Sequence, residues 1–220
     1  MNPIEQVQQA LQAVYDLGGP VVVILLATSV VTASIVLYKI WQFGVAGVGR
    51  HKVLAQAVDA WDRGDRARAA MLIDQSRSYL APVIRQASGG ADSFHSDRAD
   101  AEAEDRFARL ERGLSALDII SQLAPLLGLF GTVLGMIDAF RALQNAGTSV
   151  DPSLLAGGIW VALLTTAAGL AVAMPTSLIL NWFEARMRRD RVFANRALRV
   201  IFAPEAETAE GTARLRAHGA

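Results

Sequence analysis

Long uncharged runs alternate with amphipathic polar segments along this chain, and the lengths of the runs are the first thing to be read. Residues 21–38 (VVVILLATSVVTASIVLY) carry no charge and are followed by Lys39, Trp41 and Phe43, the residue types that anchor a helix at a membrane surface. Nineteen uncharged residues separate Asp118 from Asp138, and 32 separate Asp151 from Glu184. An α-helix needs roughly 20 apolar residues to cross a ~30 Å hydrocarbon core. The pattern therefore predicts three transmembrane helices, over residues 20–43, 118–140 and 154–183. The last run is longer than one perpendicular crossing requires, so tilt or extension beyond the bilayer takes up the excess. Pro175 inside it is expected to kink the helix.

The polar segments repeat every three to four residues. Residues 1–19 open with Asn2-Pro3, a cap and first-turn proline, and place Ile4, Val7, Leu11 and Val14 on one face, as in a helix lying on a membrane surface. Gly18-Gly19-Pro20 should end that helix. Within residues 44–117, positions 51–61 align Leu54, Ala57, Val58 and Trp61, and positions 66–85 align Ala67, Met71, Leu72, Leu80 and Ile84, which predicts two helices parted near Gly64. Residues 86–97 read as a connector. Residues 98–117 carry Phe107, Leu110, Leu114 and Leu117 at helical spacing, with only Gly113 to interrupt a stalk leading into the second span. Residues 141–153 form a loop closed by Asp151-Pro152, and residues 184–220 a basic amphipathic helix to Phe202 followed by a polar tail. The fold class expected is an all-α integral membrane protein with three transmembrane helices and long helical extensions in the cytoplasm.

Two of the spans carry stripes of small residues. In the second, Ala124, Gly128, Gly131, Gly135 and Ala139 recur at steps of four and three; in the third, Gly158, Ala162, Thr166, Gly169, Ala173 and Ser177 do the same. Small side chains let helix backbones approach closely where lipid offers no hydrophobic drive to associate. Thr132 lies beside the first stripe and Thr165 beside the second. Such hydroxyls can bond a carbonyl one turn earlier, bridge two helices, or face water in a pore. No carboxylate, lysine, arginine or histidine lies inside the three runs, although such groups are what mark proton relays and ion sites. A proton crossing here needs a carboxylate from another chain.

Composition and charge narrow the class. Of 220 residues, 52% are hydrophobic and 19% charged, and the formal charge is zero, which favours neither nucleic acid nor an acidic partner. There is no cysteine for disulfide or thiolate chemistry, and His51, His95 and His218 lack any helical ligand spacing, so no metal site is expected. Neither a phosphate-binding loop nor a nucleophile elbow is present, and no enzyme is expected. The first 19 residues lack Lys and Arg, so no cleavable leader is expected. Of the 21 Lys and Arg, twelve fall in residues 39–112 and eight in residues 186–216. The positive-inside tendency puts both segments in the cytoplasm and the N-terminus and residues 141–153 outside. Arg186, Arg188, Arg189 and Arg191 anchor that topology. Asp138 and Arg141 are spaced for a local ion pair.

Residues 124–140 (APLLGLFGTVLGMIDAF) and 157–175 (GGIWVALLTTAAGLAVAMP) resemble the MotA/TolQ/ExbB proton channel family, nearest its ExbB and TolQ branch. The resemblance implies a multi-pass protein of the bacterial inner membrane with a periplasmic N-terminus. It implies a homo-oligomer, a pentamer, whose second and third spans line a pore holding an ExbD- or TolR-like single-span partner, and work delivered through a TonB- or TolA-like protein. The partner's aspartate would carry the proton. Thr132 and Thr166 match the family's pore-facing threonines, with Thr165 adjoining. One position departs: where ExbB and TolQ proteins usually carry glutamate, five residues before the third-span threonine, this chain has Val161. An ExbB-like motor is the leading reading. A TolQ-like role, a scaffold that assembles without conducting, and a self-sufficient transporter are the alternatives.

Overall fold

The computed structural model describes residues 3–89, 93–145 and 152–205. Seven helices account for nearly all of them: α1 (Pro3–Ala46), α2 (Lys52–Asp62), α3 (Arg66–Gln75), α4 (Ala81–Ser88), α5 (Ser93–Glu111), α6 (Leu114–Asn145) and α7 (Pro152–Phe202). Three stretches, Gly18–Ala46, Leu114–Asn145 and Leu155–Phe202, are long and apolar enough to cross a membrane. The chain is an all-α protein with three membrane-crossing helices. The expected cap residues Asn2 and Asp151, residues 146–151 of the expected 141–153 loop, and the tail from 206 lie outside the described residues, while residues 141–145 of that loop continue α6.

Within α1 the backbone leaves the helical region at Gly19 (φ 67, ψ −166), where only glycine sits without strain, and Pro20 resumes the helix. The Gly-Gly-Pro signal thus divides the N-terminal segment from the first span. Other boundaries differ from the sequence expectation, and the expected connector over 86–97 is narrowed by α4, which runs to Ser88, and α5, which starts at Ser93. The helix predicted over residues 66–85 is two helices, because Ser76 turns extended (ψ 129) and Pro82, in the first turn of α4, starts a new helix more readily than it continues one. Ser78 steadies the break by accepting a hydrogen bond from the Leu80 amide at 3.1 Å. The stalk predicted over residues 98–117 is interrupted as well: Gly113 adopts φ 91 between α5 and α6, so one glycine suffices to end the helix. Through Pro175, α7 stays helical.

The chain divides into two compact units, residues 1–38 with 113–181, and residues 39–112 with 182–220. In the first, Val21 and Leu25 of α1 are buried with Ala124 of α6 and Ala173 of α7, and Leu127, Leu134, Ala168 and Val172 pack around them. The second unit has a core of conventional size, with Leu54, Leu80, Ile84, Phe107, Phe183 and Met187 fully buried. Lys39, expected as a headgroup anchor, is instead 2% exposed there. Its ammonium donates to Gln42 Oε1 at 2.8 Å and to the Leu110 carbonyl at 2.9 Å. That carbonyl belongs to the last turn of α5, where helix carbonyls lack intrahelical donors and favour a cation.

The second unit is pinned by Asp190, 1% exposed on α7. Its Oδ2 accepts from the Gly49 amide at 3.2 Å and the Tyr79 hydroxyl at 3.1 Å, and lies 2.9 Å from His51 Nε2. His51 Nδ1 is 2.9 Å from Ser78 Oγ, and the imidazole stacks on Phe193 at 4.8 Å between centroids. Burial, then the charge and hydrogen bond of Asp190, raises the Tyr79 phenol far above its ordinary range, so it remains a donor at any physiological pH. A buried carboxylate that accepts two hydrogen bonds and lies beside an imidazole is costly to remove, because the Gly49 amide and the Tyr79 hydroxyl are left without their acceptor. We expect Asp190→Ala to destabilise this unit by about 3 kcal/mol and Tyr79→Phe by about 1 kcal/mol. Amide exchange at residues 47–54, measured in detergent, should rise far more in the first variant than in the second; equal rises would mean that the carboxylate is not the pin.

Candidate functional site: the seam between α6 and α7

Helices α6 and α7 meet along their small residues, backbone against backbone. A Cβ added to Gly128 would lie 2.8 Å from the Thr165 carbonyl oxygen and 3.1 Å from the Thr166 Cα. One added to Gly169 would lie 2.6 Å from the Ala124 carbonyl oxygen, and one on Gly135 would meet Ala162 at 3.2 Å. Gly131 faces the Thr165 side chain, and Gly158 faces Ala139. Every packing residue expected on the second-span stripe therefore lies on this contact, or is buried, as Ala124 is, in the core it shares with α1.

On α7 the buried hydroxyls are not those of the sequence stripe. Successive residues turn by ~100°, so from Gly158 the positions Ala162, Thr165, Gly169, Ala173 and Thr176 stay within about 60° of one line, whereas Thr166 and Ser177 swing to its edge. The structure follows that geometry: Thr165 and Thr176 are buried at 1% and 2% exposure, while Thr166 and Ser177 are half-buried. Thr176, which donates to the Val172 carbonyl at 2.6 Å, was missed because stepping residue by residue favoured its neighbour Ser177. Summing the helical angle would have found it.

The hydroxyls differ in how firmly each is engaged. Thr165 donates to the Ala162 carbonyl at 2.7 Å and also lies 3.2 Å from the Gly128 carbonyl. Thr132 donates to the Leu129 carbonyl at 2.6 Å. Thr166 makes only a long bond, 3.4 Å, to that same Gly128 carbonyl. A single proton per hydroxyl and lengthening distance make Thr166 the least committed of the three. Its carbonyl partner already faces Thr165. Val161 is half-buried on α7. Asp138 and Arg141 come to 3.9 Å with both side chains mostly exposed, a surface pair of small energetic weight. Among the described residues no three acidic, histidine or cysteine groups converge as a metal would require.

Residues 73–193, more than half of the chain, match the MotA/TolQ/ExbB proton channel family. Relatives include the biopolymer transport protein ExbB of Neisseria meningitidis, 30% identical over 79% of this chain and 87% of that protein. The biopolymer transport protein exbB1 of Vibrio cholerae is 37% identical over 44% of this chain, and the chain spans only 44% of its length. The Tol-Pal system protein TolQ of Pseudomonas aeruginosa is 38% identical over 36% of this chain and 33% of its own.

The seam's tolerance for side chains is directly testable. Gly169→Leu should force α6 and α7 apart, because carbonyl and Cα atoms cannot yield as a flexible side chain would. The expected loss exceeds about 2 kcal/mol and would register as a lower melting temperature in detergent. Gly157→Leu is the control, since a Cβ there meets nothing within 4 Å. Equal effects of the two would refute close approach as the source of stability. With helices long enough to cross a membrane and a seam of glycines on two of them, the chain belongs to the MotA/TolQ/ExbB proton channel family.

Proposed function

We propose that this chain is the ring-forming subunit of a proton-driven motor in the bacterial inner membrane, with its N-terminus in the periplasm. The motor is of the ExbB type and energises TonB-dependent transport across the outer membrane. The observation that carries this reading is the α6–α7 seam. It brings Thr165 and Thr166 to one carbonyl, that of Gly128, in a stretch whose own sequence supplies no carboxylate. Such a wall can relay a proton but cannot hold one, so the carboxylate comes from an ExbD- or TolR-like single-span partner enclosed by five copies of this chain. Thr166, the least committed hydroxyl, and Thr132 face the partner; Thr165 holds the helices together behind them. Large apolar side chains on α6 and α7, Leu126, Phe130, Trp160 and Leu163 among them, are exposed in the single chain and provide contact for neighbouring copies and lipid.

A second reading, the TolQ-like role in envelope maintenance with a TolA-like protein, is favoured by the stretch similar to Pseudomonas TolQ. The two share one channel chemistry and differ in the protein that receives the work.

Proton flux into liposomes tests the shared part. Flux should require both this chain and its single-span partner, and Thr166→Ala should lower it on the order of tenfold, as expected for one lost hydrogen bond to a charged group. Assembled complexes without flux in any combination would support a non-conducting scaffold; flux from this chain alone would support a self-sufficient channel. In the same assay Val161→Glu should leave folding intact and change the flux of the assembled complex. Unchanged flux would show that a carboxylate at position 161 has no part in conduction.

A further inference from the structure

A concavity of about 320 Å³ in the second unit is lined by Gly49, Arg50, Lys52, Val53, Gln75 and Arg77, three cations with no acidic side chain among them. We propose that it binds a phosphate group, that of an anionic phospholipid headgroup. Two features of the fold build it. The turn between α1 and α2 uses Gly47 and Gly49 at φ 69 and 73, and a Cβ on Gly47 would lie 2.7 Å from the Arg77 carbonyl oxygen. That approach brings the backbone of residues 47–50 against that of Arg77, so opposite walls of the cavity are held by main chain rather than by mobile side chains.

The second feature is the start of α2. Its first turn contains no acidic residue, and no side chain caps it, because His51 at the cap position is directed to Ser78 and Asp190 instead. The first amides of a helix point outward without intrahelical acceptors and favour negative charge. Here the flanking residues are Arg50 and Lys52, the wrong sign for helix stability. Local charge that opposes stability marks a place shaped by something else, and an external anion satisfies both the amides and the cations. The neighbouring acids are already engaged: Asp74 pairs with Arg85 at 2.7 Å, and Asp190 takes the Gly49 amide, Tyr79 and His51. Among the described residues, no hydrogen bond or ion pair engages the side chains of Arg50, Lys52 or Arg77.

The source of the phosphate follows from where the cavity falls in the chain. The apolar span Gly18–Ala46 ends three residues before Gly49, and its last turns carry Trp41 and Val45, 65% and 70% exposed. Tryptophan at a span end marks the headgroup level. At ~3.3 Å per residue or less, the cavity walls at residues 49–53 begin within headgroup reach of that level, where basic pockets meet anionic lipid.

The test uses the full-length protein in a neutral detergent, with its melting temperature followed as dioleoylphosphatidylglycerol, dioleoylphosphatidylcholine or inorganic phosphate is added. Phosphatidylglycerol should raise it and phosphatidylcholine should not, and the rise should shrink with added salt. The variant Arg50→Gln/Lys52→Gln/Arg77→Gln should melt like the native protein without lipid, since all three side chains are exposed. Its affinity for phosphatidylglycerol should be on the order of a hundredfold weaker. If the triple variant does not fold, Arg77→Gln alone carries the comparison with a smaller loss. A rise produced equally by inorganic phosphate and abolished by the same substitutions would support the site with a soluble phosphate as its occupant. An undiminished response of the variant to phosphatidylglycerol, or equal responses to the two lipids, would overturn the proposal.

Discussion

The approach of the α6 and α7 backbones at Gly128 and Gly169 is the constraint on which the membrane unit depends. Lipid tails are as apolar as leucine, so burying leucine between two membrane helices gains little; close van der Waals fit and hydrogen bonds between helices must hold them. Glycine at the crossing lets carbonyls and Cα atoms of one helix meet those of the other. The large side chains are consequently displaced outward. Leu126, Leu129 and Phe130 on α6, and Trp160, Leu163 and Leu170 on α7, are exposed in the single chain. The inward face is made of the smallest residues and the outward face of the largest, the reverse of a water-soluble helix pair.

The second unit follows the opposite logic. There hydrophobic burial supplies the drive, with Phe107, Phe183, Leu54 and Leu80 inside, and polar groups are used for fixing register. Asp190 gathers the α1–α2 turn, Tyr79 and His51, and Lys39 fastens to the end of α5. Buried charge is tolerated because each such group has partners; at the α6–α7 seam the hydroxyls of Thr165 and Thr166 instead bond carbonyls on their own or the facing helix.

Much of this was legible in the chain because lipid imposes simple rules. Uncharged length located the three spans, and glycine spacing on the second span located its side of the seam. What escaped was set by single residues acting against a periodic background. Pro82 restarts a helix inside a run whose apolar spacing continues unbroken, and Gly113 ends one where the spacing of Leu110, Leu114 and Leu117 suggests continuation. Periodicity reports which face would be buried if the helix persisted; it carries no information on whether it does. Lys39 escaped for another reason. Its burial depends on a carbonyl 71 residues away in sequence, and no local pattern announces that acceptor.

The same angular reasoning that separates Thr165 from Thr166 bears on Val161. Five residues along a helix correspond to a rotation of ~140°, so positions 161 and 166 lie on opposite flanks of the line through Thr165 and Gly169, consistent with both being half-buried while Thr165 is enclosed. A carboxylate at position 161 would therefore not share a face with the Thr166 hydroxyl. Valine there withdraws polarity from one flank of α7 and leaves the other as it was, with Thr166 still held at 3.4 Å from the Gly128 carbonyl. A carboxylate at position 161 and the hydroxyl of Thr166 would thus occupy separate faces of this helix, and the presence of valine at the first leaves the second in place.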